Sequence, residues 1–208
     1  EKRLMIRLVK GAYWDSEIKK AQIEGMTDYP VFTRKVHTDL SYIACAKKLL
    51  AAPEQIYPQF ATHNAQTLAT IYEMANPEKY YVGQYEFQCL HGMGEPLYEQ
   101  VVGEKQDKKL GVPCRIYAPV GNHETLLAYL VRRLLENGAN TSFVNRIADK
   151  SLAIDDLIEN PTQTILSSAK REKIVGQKHL SIPLPAELYG QLRANSKGLD
   201  LANDSALV

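Results

Sequence analysis

Apolar residues come along this chain in two rhythms. Four short runs are strand-length and rich in aliphatic and aromatic side chains: Leu4 to Val9, Ile56 to Ala61, Tyr85 to Leu90 and Arg115 to Val120. They predict four β-strands. Between them, apolar positions recur every three or four residues, the period of a helix. One helix starts near Asp15, a good cap residue, and ends before Gly25. A second, capped by Thr38 or Asp39, carries Leu40, Ile43, Ala44, Leu49 and Leu50 and stops near Pro53. A third runs from Ala65 to Met74 and ends at Asn76-Pro77. A short helix starts at Pro96, and a long one reaches Asn137-Gly138, a common helix stop.

Strand and helix in alternation imply an α/β fold with parallel strands and crossover helices. Two architectures compete, a doubly wound open sheet and a (β/α)8 TIM-like barrel. The dinucleotide fingerprint GxGxxG is missing. Gly92-Met-Gly94 lacks its third glycine and follows the third strand, so it reads as a turn. A barrel needs about 250 residues, and four strand–helix units fill roughly the first 140 positions here. The pattern therefore predicts half of a barrel, with the other half upstream. Residues 1–150 are expected to form that half, and residues 151–208 a helix followed by a linker or arm. From Ile182 onward the text is loop-like, through Ile182-Pro-Leu-Pro185 and Asn195-Ser-Lys-Gly-Leu-Asp-Leu201. It is expected to dock on a neighbour. The chain starts at Glu1 and enters a strand almost at once, which suggests a piece of something longer.

Charge changes the picture only by exclusion. Lys and Arg number 25 against 24 Asp and Glu, which gives no electrostatic case for nucleic acid. No apolar run approaches the roughly 20 residues of a membrane-spanning helix. The odd set Cys45, Cys89 and Cys114 has no CxxC spacing and favours a reducing compartment, with the cytoplasm as the expectation.

In both architectures a site forms at the carboxyl ends of the strands. Those ends read Lys10-Gly-Ala-Tyr-Trp14, Thr62-His63-Asn64, Gln88-Cys89-Leu90-His91-Gly92 and Tyr117-Ala-Pro-Val-Gly121. Polar, aromatic and glycine residues mix at all four, behind strands that look apolar. Trp14 and Tyr13 offer flat faces for stacking, although a lone tryptophan also serves as a rim anchor. His63 could equally cap the helix that follows it. His63, His91 and Glu95 lack a known metal-ligand spacing, and no GxSxG or P-loop is present.

The long last helix carries Arg132 and Arg133 side by side. Spacings of three and four link them to Tyr129 and Glu136, while Leu127, Leu130, Val131 and Leu134 take the other side. Paired guanidiniums suit a small carboxylate, because the planar fork bonds both oxygens. The plain alternative is a solvated helix face.

Four strings occur in order: Arg7-Leu-Val-Lys-Gly-Ala-Tyr-Trp-Asp15, Gln59-Phe-Ala-Thr-His-Asn64, Tyr85-Glu-Phe-Gln-Cys-Leu-His-Gly-Met-Gly94 and Tyr129-Leu-Val-Arg-Arg-Leu-Leu-Glu-Asn-Gly138. They closely resemble the flavin-dependent proline dehydrogenase domain, in the form carried by bifunctional bacterial proline utilization A proteins. The resemblance covers nearly the whole chain. It implies a distorted (β/α)8 barrel that holds FAD, oxidises L-proline to Δ1-pyrroline-5-carboxylate and passes electrons to a membrane quinone. This chain would supply strands five to eight and the final helix, and its tail would lead toward an aldehyde dehydrogenase domain. The parent protein would be cytoplasmic and peripherally membrane-associated.

The resemblance also implies site roles. Arg7 would reach the flavin N5 region. Val9, Lys10, Gly11, Ala12 and Trp14 would line the cofactor, and Thr33, Lys35 and Thr38 would hold its phosphate and adenosine portion. Ala61, Thr62, His63, Asn64, Gln88 and Cys89 would contact the isoalloxazine and ribityl parts, and Glu136 and Phe143 would close the pocket. Arg132 and Arg133 match the pair that clamps the proline carboxylate, with Tyr13, Leu90, Tyr117 and Tyr129 as walls around the ring. Arg7, Tyr117, Arg132 and Arg133 would be the catalytic set. Tyr117 matches the tyrosine that crowds a hydroxylated ring carbon, which favours proline over hydroxyproline.

The family also draws a lysine and an aspartate from strands outside this chain. A half-barrel exposes two sheet edges, so the missing half would come from the same parent polypeptide, another chain or a second copy. The isolated 208 residues are expected to bind FAD poorly and turn over little proline. Two rivals stand beside this reading. One is a non-catalytic fragment that works only inside a larger barrel. The other is a carboxylate-binding lyase using Glu86 and His63.

Overall fold

The computed structural model describes residues 2–11, 13–138, 153 and 158–196. Ala12, Phe143 and the side chain of Glu136, all assigned to the site by resemblance, lie outside the described residues.

Four strands form one parallel sheet: β1 (Leu4–Val9), β2 (Ile56–Ala61), β3 (Glu86–Leu90) and β4 (Cys114–Tyr117). Their spatial order repeats their chain order, β1-β2-β3-β4, and every neighbouring pair is parallel. The helices are α1 (Trp14–Ile23), α2 (Lys35–Leu50), α3 (Ala65–Met74), the short α4 (Glu95–Tyr98), α5 (His123–Gly138) and α6 (Pro161–Glu172). A doubly wound sheet reverses its strand order at a switch point. Among the described strands there is no reversal.

Beyond shifts of a single residue at the starts of β3, β4 and α4, two boundaries differ from the pattern reading. β4 stops at Tyr117 instead of Val120, because Pro119 has no N–H to give a ladder. α2 starts at Lys35, so Thr38 and Asp39 lie inside it and not at its cap. The Asp39 carboxylate instead accepts from Lys10 Nζ at 2.7 Å.

The strands are also less uniformly apolar than they looked. Side chains alternate across a strand, and the register aligns the alternation. Arg7 lies beside Gln59, Gln59 beside Glu86, Gln88 beside Arg115 and Leu90 beside Tyr117. One face of the sheet is therefore polar. The other face presents Phe60, Phe87 and Cys89 to the helices, where they join Tyr42 and Ala46 of α2 and Leu68 and Ile71 of α3 in the core. Phe60, Tyr85 and Phe87 meet edge-on or tilted, with ring centroids 5.5–6.4 Å apart. Burying a ring of this size contributes about 2–3 kcal/mol.

The chain divides into two compact units. The first comprises residues 1–10 and 39–160 and contains the sheet. The second comprises residues 11–38 and 161–208. These units are interleaved in sequence, unlike the linear segments 1–150 and 151–208. Within the second unit, Asn195 Nδ2 donates to Gln22 O at 2.8 Å and to Pro185 O at 3.0 Å. Tyr29 donates to Pro183 O at 2.6 Å, and His179 N donates to Thr33 Oγ1 at 2.9 Å. Arg34 Nη1 reaches both oxygens of Glu172, at 2.9 and 3.0 Å. The described part of the tail thus docks on an early segment of its own chain. Its attachments are side chain to backbone and ion pairs, which leave no periodic trace in a sequence.

Candidate active site

The first unit gathers most of the expected residues at the carboxyl end of its sheet. Three devices fix that end. Tyr98, deep in the core, donates to Thr62 O at 2.7 Å and to Gln88 O at 3.2 Å, tying β2 to β3 where both strands finish. Tyr42 donates to the carbonyls of Leu8 and Ala61, each at 3.3 Å, and does the same for β1 and β2. Lys10 is held by Asp39 and, at 2.9 Å, by Thr67 Oγ1. Its ammonium also lies 5.3 Å from the Tyr42 ring centroid.

His63 does not cap α3. That role belongs to Asn64, whose side-chain oxygen accepts from Thr67 N at 3.0 Å. His63 Nε2 instead accepts from Leu90 N at 3.2 Å, so the neutral ring carries its proton on Nδ1. Burial lowers the His63 pKa and the Arg133 charge lowers it further. The imidazole is therefore neutral near pH 7, and α5 is placed with Arg133 within electrostatic reach of the strand ends.

On α5, Tyr129, Arg132 and Arg133 are half-buried, and the Arg133 guanidinium stacks 5.1 Å from the Tyr129 ring centroid. The solvated-face reading fails for these three. The opposite side of the helix is the exposed one, with Leu127 63% and Leu134 71% accessible.

The polar face of the sheet is built around Glu86. Its Oε1 accepts from Gln59 Nε2 at 2.8 Å, Gln88 Nε2 at 2.9 Å and Arg115 Nε at 2.7 Å. Its Oε2 accepts from Tyr57 OH at 3.0 Å and Arg115 Nη2 at 2.9 Å. Burial alone would raise this carboxyl, but the bonds from Arg115, Gln88, Tyr57 and Gln59 outweigh it and hold the pKa at about 2. Gln88 passes the network on. Its Oε1 accepts from Arg7 Nε at 2.8 Å, and the Arg7 guanidinium lies 4.7 Å from the Tyr117 ring centroid.

Tyr57, Gln59 and Arg115 were not singled out in the sequence. The signal was available, since each is polar at the period-two position that register brings to the same face. Glu86 was singled out as a lyase acid–base group. An ion held at about 2 is a poor proton shuttle near neutrality, and the lyase reading is set aside.

The other expected residues are placed as follows. Ala61, Thr62 and Leu90 are buried at the strand ends, and Val9 is exposed on β1. The Cys89 side chain belongs to the helix-facing core, 3.6 Å from Cys114 Sγ, so only its backbone is available at the strand end. In the second unit, Gly11, Tyr13, Trp14, Thr33 and Thr38 line a cavity of ≈ 590 Å³ together with Phe32 and Lys178. Trp14 is anchored there by Nε1 donating to Phe32 O at 2.7 Å. Lys35 is exposed in the first turn of α2 and is not among the lining residues. Among the described residues, no three His, Cys, Asp or Glu side chains converge as metal ligands would.

Comparison with known proteins adds the following. The family model for proline dehydrogenase matches residues 1–146. The bifunctional protein PutA of Klebsiella aerogenes is 70% identical over 206 residues, which is 99% of this chain and 16% of that protein. Proline dehydrogenase 1 of Bacillus subtilis (strain 168) is 30% identical over 139 residues, 67% of this chain and 39% of that protein. Among solved structures, a mutant of Bradyrhizobium japonicum proline utilization A matches with a TM-score of 0.84 and 52% identity, covering 99% of this chain and 20% of that one. The chain thus spans 16% of the length of the PutA relative it matches.

Proposed function

This chain belongs to the proline dehydrogenase family, in the form found in bifunctional PutA proteins, and on that premise we propose that it forms the substrate-clamping half of a flavin-dependent (β/α)8 barrel. The reaction is oxidation of L-proline to Δ1-pyrroline-5-carboxylate. The strand order β1-β2-β3-β4, without reversal, supports the barrel. The quinone acceptor, the aldehyde dehydrogenase partner domain and a cytoplasmic location at the membrane surface belong to the same proposal.

One observation carries it: the half-buried Arg133 of α5 acts electrostatically on His63 at strand ends that hold a further cation, Arg7, on a hydrogen-bonded seat. Arg132 and Arg133 would take the substrate carboxylate, which fixes one end of a small ring. Leu90, Tyr117 and Tyr129 would wall the ring. His63 is neutral and competes with neither the clamp nor a neutral secondary amine. Loss of a C–H hydride and of the amine proton leaves the C=N bond of the product.

The residues present fit FAD by the chemistry of their donors. Arg7 and the Thr62–Asn64 segment of the first unit would face the electron-accepting ring. The cofactor, when bound, supplies the two-electron acceptor. Arg7 favours whatever negative charge appears beside it on reduction.

The test uses the full-length protein. Proline is expected to bleach its flavin absorbance, and Arg133→Met to raise KM for proline while the flavin content stays stoichiometric. An unchanged KM would remove the clamp, and with it this reading.

A further inference from the structure

The buried carboxylate of Glu86 has no part in the chemistry proposed above, yet it receives more hydrogen bonds than any other side chain at the sheet. We propose that Glu86 is a positioning residue for Arg7, acting through the amide of Gln88. The proposal rests on the functional reading above, in which Arg7 is the cation beside the electron-accepting group.

The argument is one of donor and acceptor identity. An arginine guanidinium only donates, and an ionised carboxylate only accepts. Gln88 stands between one of each. Its Nε2 donates to Glu86 Oε1 at 2.9 Å, so its Oε1 must face Arg7 Nε, which it accepts at 2.8 Å. The amide can satisfy both neighbours in one orientation only. Glu86 therefore decides which end of the amide Arg7 meets. Arg7 is otherwise exposed on its strand. Its described contacts at this face are the Gln88 oxygen and the Tyr117 ring.

Glu86 is itself well held. Gln59, Tyr57 and Arg115 bind it from β2 and β4. Arg115 is paired to the carboxylate, whereas the positive charge of Arg7 is left on the neutral Gln88 oxygen. A negative charge behind Gln88 also polarises the amide and strengthens its carbonyl as an acceptor. An amide at 86 keeps one acceptor oxygen for the five bonds that the carboxylate takes, and in either orientation it sets an NH2 against Arg115. Gln88 must then share one uncharged oxygen with stronger donors, its amide is no longer held in one orientation, and once turned its NH2 would repel Arg7.

Three measurements on the full-length protein test this. Glu86→Gln is expected to lower kcat about tenfold with KM for proline within about twofold, because the Arg132–Arg133 clamp is untouched. The flavin midpoint potential is expected to fall, in the same direction as in Arg7→Met. The double variant Arg7→Met with Glu86→Gln is expected to lose no more than Arg7→Met alone, since the second change acts only through the first. Losses that multiply would overturn the proposal. So would a crystal structure of Glu86→Gln with Arg7 still seated on Gln88 and over Tyr117, whether or not flavin is bound. If Glu86→Gln fails to fold, the paired variant Glu86→Gln with Arg115→Gln leaves no guanidinium facing an amide and is read in the same way. A wild-type protein without flavin or proline turnover would instead sink the functional reading, and the crystallographic arm would still judge the seat of Arg7.

Discussion

The two faces of the sheet are made by the same strands and do opposite things. Phe60, Phe87 and Cys89 point toward α2 and α3 and are packed in a dry aromatic core. Their neighbours in sequence, Gln59, Glu86 and Gln88, point the other way and form a hydrogen-bonded polar layer. In β3 all five residues are buried, so burial alone does not separate the faces. The difference lies in how each face tolerates change. An apolar face loses stability in proportion to the volume removed. A polar layer of donors and acceptors fails when one partner is deleted, because the others are left without a mate. A protein that needs a positioned cation gains from building it on the second kind of face.

The largest test of this contrast is on the apolar side. Phe87→Ala is expected to cost about 3–5 kcal/mol in chemical denaturation, and a change below about 1 kcal/mol would mean that the core is not where stability resides. The polar side is tested next by acid. Glu86 is held at about 2 against an ordinary 4.5, so its stabilising contribution is complete above pH 4.5 and disappears as pH falls toward 2. The expected loss is about 3 kcal/mol at the acid end, read as a stability-against-pH curve that flattens in Glu86→Gln.

A smaller effect, confined to binding, is expected at α5. Arg133→Met should raise KM for proline about tenfold to a hundredfold, the range for losing a charged hydrogen bond. Its melting temperature should stay near wild type. A collapsed melting temperature would place Arg133 with the structural residues. Smallest is Asn64→Ala, which removes the α3 cap and should cost about 1 kcal/mol. Circular dichroism melts suffice to read it.

What could be read in the sequence, and what could not, follows the range of the interactions. β1, β2 and α3 have the bounds their patterns predicted, because run length and periodicity are local. The arginine pair was legible because residues three and four apart on a helix share a face whatever surrounds it. The Glu86 network was not. It needs the register of three strands at once, and Tyr57, Gln59 and Arg115 each look ordinary alone. For His63 the sequence left a cap and a site role equally open, and the preference of Asn64 for the cap position removed the first. The tail was read as reaching outward. Only a bond such as Asn195 to Gln22, across 173 positions, reveals that it returns.

That return has a consequence for how the molecule is made. Residues 39–160 can begin strand pairing and helix packing as they emerge from a ribosome, each crossover closing onto the strand before it. The unit that contains residues 11–38 has no such luxury. Its first portion must wait, unpaired with its mate, until the chain has been extended past Asn195. Contacts of that span close late and slowly, so the stretch around Asn195 completes one made more than a hundred and seventy residues before it.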